Sequence, residues 1–223
     1  MPALSICDGI NSILSVLANQ TAKLWEVILV DNGSTDGSKK IAACYADRLA
    51  NFKVVSATEQ AGAAYARNVG ARAAIGDYLA FCDADNIADL GWVAAFCRAF
   101  AHHDFIANRL EFKRLNGPCA EGAQEDGLQY LNLPFLPHSR SCGLGVKRSI
   151  HKAVGGFDET APALEDTDYC FKVQLQTNAK LQFVPDAVMH VRYRSSWSDH
   201  LKQGFSGVGL QSASPTLPAA WTV

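Results

Sequence analysis

The chain has 223 residues, enough for one domain or two joined halves around a full core. A 48% hydrophobic share, 19% charged residues and a formal charge of -2 describe a soluble globular protein and argue against a nucleic-acid binder working through a broad basic field. No apolar stretch reaches membrane-spanning length, and the N-terminus lacks a basic segment followed by an apolar core, so the expected location is cytoplasmic, with attachment to the inner face of the membrane left open.

The seven cysteines form no CxxC pair and several sit in apolar runs, which points to reduced thiols rather than a zinc site. In chain order, Leu4 to Cys7 reads as half a strand. Ile10, Ile13, Leu14, Leu17 and Ala18 keep a helical spacing. Val27 to Val30 is a continuous apolar run, the mark of a strand covered on both faces. Ser34-Thr35-Asp36 can cap a helix that buries Ile41, Cys44, Tyr45 and Leu49. Phe52 to Val55 is the next strand, Gly62 to Ala74 an Ala-rich helix, Tyr78 to Cys82 a strand, and Trp92, Phe96 and Phe100 mark a further helix. Strands alternating with helices in this way predict an α/β fold with a mostly parallel sheet.

From about Asn108 the rhythm breaks. Gly117 to Gly127 reads as a loop, Ser141 to Val146 as a strand and Ser149 to Val154 as a short helix. Leu181 to Val184 and Ala187 to Val191 read as two strands parted by Pro185-Asp186, and Ser212 to Val223 as a poorly ordered tail. The expected division is 1–107 and 108–211, two halves of one domain, and 212–223 for the tail.

Five constellations offer chemistry. Asp83-Ala84-Asp85 follows an apolar run, placing hard oxygen ligands at a strand's carboxyl end, where open α/β sheets bind ligands and where magnesium or manganese completes its shell with phosphates and water. Asp31-Asn32 also ends a strand and suits hydrogen bonds to a base or ribose. Arg67, on the Ala-rich helix, is a fixed donor for phosphate or base. Glu165-Asp166 opens a helix, where a carboxylate can act as a general base. His190, followed by Arg192 and Arg194, can join a metal site. Alone, each has a plain alternative: a turn, a cap or a solvated charge.

Taken in order, EVILVDNGSTDGS (Glu26 to Ser38), ARNVGARAAIGDYLAFCDADN (Ala66 to Asn86), VGGFDE (Val154 to Glu159), EDTDYCFKV (Glu165 to Val173) and the late His190 with RYR (Arg192 to Arg194) resemble the family-2 nucleotide-sugar glycosyltransferases of the GT-A fold. The resemblance implies a GT-A-like, Rossmann-type sheet and a metal-dependent, inverting transfer of a sugar from a nucleotide-diphosphate donor to a hydroxyl of a glycan or lipid-linked acceptor. It gives Asp31, Asn32, Arg67 and Asp83 to the nucleotide sugar, Asp85 and His190 to Mn2+ or Mg2+, Asp166 to the catalytic base and Glu165 to an acceptor contact. The start of the chain departs from the family's longer first strand, which would have flanked the base pocket. That departure supports an alternative, a relative that binds nucleotide or glycan without transfer. A nucleotidyltransferase is opposed by the absence of a Gly-rich basic loop near the first strand.

Overall fold

The computed structural model describes residues 6–20, 25–49, 51–117, 135–161, 163–192 and 220–222. Elements run α1 (Ile6–Ala18), β1 (Val27–Asp31), α2 (Ser38–Ala43), β2 (Phe52–Ser56), α3 (Ala63–Ala73), β3 (Tyr78–Asp83), β4 (Ile87–Ala88), α4 (Trp92–Phe100), β5 (Phe105–Glu111), α5 (Lys113–Asn116), β6 (Leu144–Lys147), α6 (Arg148–Ala153), α7 (Glu165–Gln176), β7 (Gln182–His190) and β8 (Ala220–Thr222). A 3-10 turn at Ser141–Gly143 leads into β6.

The strands form one sheet in the order β2-β1-β8-β3-β6-β5-β7-β4. β1 pairs with β2 and β5 with β7 in parallel, while β4, β6 and β8 meet their neighbours antiparallel. The five longer strands therefore point the same way, and the three shortest run against them. The orientation expected from the alternating pattern holds, and most of the ladders between neighbours are nonetheless antiparallel.

Two apolar layers cover the sheet. On one face, Ile10, Ile13, Leu14 and Leu17 of α1 and Trp92, Val93 and Phe96 of α4 join Leu29, Cys82 and Ile106. On the other, Ala64, Ala66 and Ala71 of α3 and Tyr169, Cys170 and Val173 of α7 join Ile28, Phe81 and Phe105. Every residue of β1 is buried, as a strand sandwiched between helices requires. The small side chains of α3 let its backbone lie close to the sheet, which carries Arg67 and Asn68 into the interior, each 4% exposed.

Several expectations need correction. Ile6 and Cys7 open α1 and are not part of a strand; residues 1–5 lie outside the described residues. Phe105–Glu111 is a seven-residue strand where a broken pattern was expected. The two late strands are a single β7, with the ladder to β5 jumping from Val184 opposite Asn108 to Val188 opposite Arg109; the irregularity absorbs Pro185, Asp186 and Ala187. Ala220–Thr222, read as tail, lies within the sheet between β1 and β3. The loop at 118–127, Tyr193, Arg194 and 212–219 fall outside the described residues.

Candidate active site

Four of the co-directional strands end in an ionisable side chain: Asp31 on β1, Asp83 on β3, Glu111 on β5 and His190 on β7. The sheet thus gathers carboxylates and an imidazole along its carboxyl edge.

Arg67 ties this edge to the start of α7. Its Nη2 donates to Asp83 Oδ1 at 2.9 Å and its Nη1 to Glu165 Oε1 at 3.2 Å. One buried guanidinium therefore spans the Asp83-Ala84-Asp85 turn and the Glu165-Asp166 pair, segments far apart in the chain. Asp166 lies beside this bridge. Burial and the neighbouring Glu165 charge raise its carboxyl above the ordinary range, against the opposing pull of Arg67 and the backbone amides of Thr167 and Ser141.

At the other end of the edge, β4 places Ile87 opposite His190, so the histidine lies across from the residue two positions after Asp85. Its Nδ1 is 2.6 Å from Glu111 Oε2, and its Nε2 is 2.9 Å from Asp89 Oδ1 and 3.0 Å from Arg114 Nη1. A carboxylate on one ring nitrogen is the usual support for a histidine that ligates metal through the other. Here Asp89 and Arg114 occupy Nε2. Burial would raise the Glu111 carboxyl, but the hydrogen bonds from His190 and from the Arg114 and Lys113 amides hold it below its ordinary range.

The Asp83-Ala84-Asp85 turn is set from behind by α1. A Cβ on Gly9 would come within 3.0 Å of the Ala84 carbonyl and 3.1 Å of the Asp85 Cα, so only glycine lets the helix approach this closely. Hard oxygens at Asp85, an imidazole one short strand away and its supporting Glu111 suit Mg2+ or Mn2+ completed by substrate phosphate and water. Among the described residues no three or more histidine, cysteine or acidic side chains are gathered so that they could hold a metal ion by themselves.

On the β1 side, Asp31 accepts the Ser34 amide at 3.0 Å and pairs with Lys39 Nζ at 2.9 Å. Burial opposes its ionisation, and the Ser34 and Lys39 hydrogen bonds overcome that and hold the carboxyl low. Asn32 straps the loop after β2: its Nδ2 donates to the carbonyls of Ala57 and Gln60, and its Oδ1 accepts the Gly62 amide at 2.9 Å. Gln60 in turn donates to the Glu159 carbonyl at 2.8 Å.

Glu159 belongs to the Gly155-Gly156-Phe157 turn that leads toward α7. Asn68 clamps it, donating to the Phe157 carbonyl at 2.9 Å and to Glu159 Oε1 at 2.8 Å while accepting the Phe157 amide at 2.9 Å. Gly155 and Gly156 have φ of +78° and +74°, and a Cβ on Gly156 would meet Asn68 Oδ1 at 2.4 Å. Phe157 then stacks on Tyr169 of α7, ring centroids 4.1 Å apart.

The sequence reading missed Glu111, Asp89, Arg114 and the clamping role of Asn68. Glu111 was open to the rule that singled out Asp83, a carboxylate closing a buried strand, but its strand went unrecognised. A separate cavity of about 420 Å³, lined by Trp25, Tyr78, Trp92, Phe96 and Phe100, lies at the amino ends of β1 and β3, away from these acids.

The α/β fold, with its mixed sheet and flanking helices, is similar to that of GT-A glycosyltransferase structures. The Glycosyl transferase family 2 model matches residues 8–152, and the chain belongs to that family. It is 31% identical over 124 residues to glycosyltransferase AglE of Haloferax volcanii, covering 54% of this chain and 41% of the relative. To the pre-mycofactocin glycosyltransferase of Mycobacterium tuberculosis it is 27% identical over 202 residues, covering 81% of this chain and 40% of the relative. The chain thus spans about two fifths of the length of these relatives. Among solved structures, S. aureus TarS 1-349 superposes with a TM-score of 0.67 at 21% identity, over 85% of this chain and 58% of that one. The mannosyltransferase PcManGT from Pyrobaculum calidifontis, in complex with GDP-Man and Mn2+, gives 0.67 at 21% identity, over 94% and 62%. No helix among the described residues is long and apolar enough to cross a membrane.

Proposed function

We propose that this chain is a metal-dependent, inverting glycosyltransferase that moves a sugar from a nucleotide-diphosphate donor to a hydroxyl of a glycan or lipid-linked acceptor. The observation that carries the reading is Arg67, whose guanidinium joins Asp83 to Glu165, a link that supports a donor side and an acceptor side held in one frame. Family membership supports the reaction class, and neighbours in complex with UDP, UDP-GlcNAc and GDP-Man support the donor class.

In this reading Asp31 and the loop strapped by Asn32 receive the nucleoside, and Asp83, fixed by Arg67, meets the ribose side. Asp85 and His190 would hold Mn2+ or Mg2+, which supplies Lewis-acid neutralisation of the leaving diphosphate when bound. Asp166 takes the proton of the acceptor hydroxyl as it attacks the sugar carbon. A raised carboxyl pKa makes Asp166 a stronger base once ionised, and the Thr167 and Ser141 amides fix its direction. Glu165, tethered by Arg67, borders the acceptor. A single base and one in-line displacement invert the anomeric configuration. Free thiols at Cys44, Cys82, Cys97, Cys142 and Cys170 support a reducing, cytoplasmic setting, with the acceptor presented at a membrane surface or in solution.

The test is a transfer assay with a panel of UDP- and GDP-sugars and Mn2+, comparing the protein with Asp166→Asn and Asp85→Asn, alongside Mn2+ binding followed by electron paramagnetic resonance. The expected result is transfer by the unaltered protein alone and loss of Mn2+ binding only in Asp85→Asn. Full transfer by Asp166→Asn would remove the assigned base.

A further inference from the structure

Arg67 has both terminal nitrogens committed to carboxylates and brings little uncommitted charge to an anionic ligand. Arg140 differs. It is exposed, its guanidinium lies 5.7 Å from the Phe112 ring centroid, and no carboxylate pairs with it among the described residues. Its carbonyl accepts the Gly143 amide at 3.1 Å, and the amide of the next residue, Ser141, donates to Asp166. Phe112 follows Glu111, the partner of His190. Arg140 is therefore next in sequence to the amide that holds Asp166, and its guanidinium packs on the residue next to Glu111, the partner of His190. Burial raises the thiol of Cys142, two residues on, and the charges of Asp83 and Asp166 add to that while those of Arg140 and Arg67 oppose it.

A nucleoside diphosphate entering this edge meets Asp83, Asp85, Glu165 and Asp166, and its own negative charge adds to theirs. The Mn2+ or Mg2+ proposed above offsets part of that charge and Arg67 has little to spare, so a second, permanent cation would complete the neutralisation. We propose that Arg140 is that cation, a clamp for the donor's diphosphate oxygens held in place by its packing on Phe112. The inference rests on the transferase reading and adds a residue to it. Arginine suits the task because its planar fork meets two phosphate oxygens at once and it stays charged at every working pH.

Calorimetric titration of inorganic pyrophosphate, UDP, GDP and uridine, with Mg2+ present throughout, into the full chain and into Arg140→Gln tests this without any turnover. Lys147→Gln serves as a charge control, since Lys147 pairs with Asp104 and lies opposite Tyr78 at the amino end of β3. Melting curves establish that each variant is folded. Arg140→Gln is expected to weaken pyrophosphate and at least one of the nucleotides about tenfold or more, to leave uridine unchanged, and to differ from Lys147→Gln, which keeps full affinity. Pyrophosphate and that nucleotide are expected to compete. Equal pyrophosphate affinity in Arg140→Gln, absence of binding by the unaltered protein, or simultaneous binding of pyrophosphate and nucleotide would each overturn the proposal. The last would give Arg140 to an acceptor phosphate. An Arg140-dependent clamp in a protein that transfers no sugar would instead leave the clamp standing and sink the transferase reading.

Discussion

Arg67 and Asp83 form an ion pair of 2.9 Å in which the arginine side chain is 5% exposed and the aspartate 33%. Truncating the arginine leaves Asp83 and Glu165 facing one another without their shared cation. Arg67→Ala is expected to lower stability by about 3 kcal/mol, the range for breaking a buried pair discounted for the exposure of its acidic partners, and to abolish transfer. Arg67→Lys keeps the charge but reaches one carboxylate at a time. It should retain most of the stability and lose most of the activity, as measured by denaturant melts beside a transfer assay.

Asp166, the proposed base, would couple function to stability with a defined sign. Its carboxyl is raised in the folded protein, chiefly by burial, so the folded state holds the proton more tightly than the unfolded chain. Stability from this group is therefore full below the ordinary aspartate pKa and falls as pH rises through the raised value. Asp166→Asn should melt higher than the unaltered protein at pH 7, match it near pH 3, and lose about a hundredfold or more in kcat. The acid limb of the unaltered enzyme's pH–rate profile should lie above the ordinary carboxylate range.

Glu26 titrates in the opposite sense. Burial works against its charge, but the amides of Gly76 and Ile75 and the Lys53 ammonium hold its carboxyl below the usual value. Its contribution is present above the unfolded glutamate pKa and is lost as pH falls through the lowered one. Glu26→Gln should cost about 2 kcal/mol at pH 7, a fall in Tm of roughly 4–8 °C, and little at pH 3. Thermal melts at the two pH values check this. Nucleotide affinity should not change, because Glu26 lies at the amino end of β1.

Gly156 admits no side chain. Its positive φ and the 2.4 Å approach that an added Cβ would make to Asn68 Oδ1 together predict a loss of about 2–4 kcal/mol for Gly156→Ala. Asn68→Ala removes the clamp from the other side and should release the same turn. Hydrogen exchange at the Phe157 amide, which donates to Asn68, is the direct measurement: protection should fall in both variants.

How much of this was legible depended on whether a residue's neighbours in sequence are also its neighbours in space. Val27 to Val30 announced a covered strand because both faces are apolar, and Asp83 stood out because it closes such a run. Phe105–Glu111 did not, since Asn108 and Arg109 interrupt the pattern; Asn108 is nonetheless fully buried, a polar side chain placed by tertiary packing rather than by local preference. Losing that strand also hid Glu111 as the partner of His190. Ala220–Thr222 offered three residues in a Pro- and Ala-containing stretch, and only the space between β1 and β3 makes them a strand. Asn32 shows the limit at a single position: its place at a strand end was readable, its commitment to the 57–62 loop was not.

Asn32, Gln60 and Glu159 form a relay of hydrogen bonds from the end of β1 to the turn before α7. A ligand that shifts the 57–62 loop by a fraction of an ångström would pull on the far turn through that relay. In the transferase proposed above, donor loading and the readiness of the acceptor side would then be mechanically synchronised, an ordering of events built from one amide side chain relaying another.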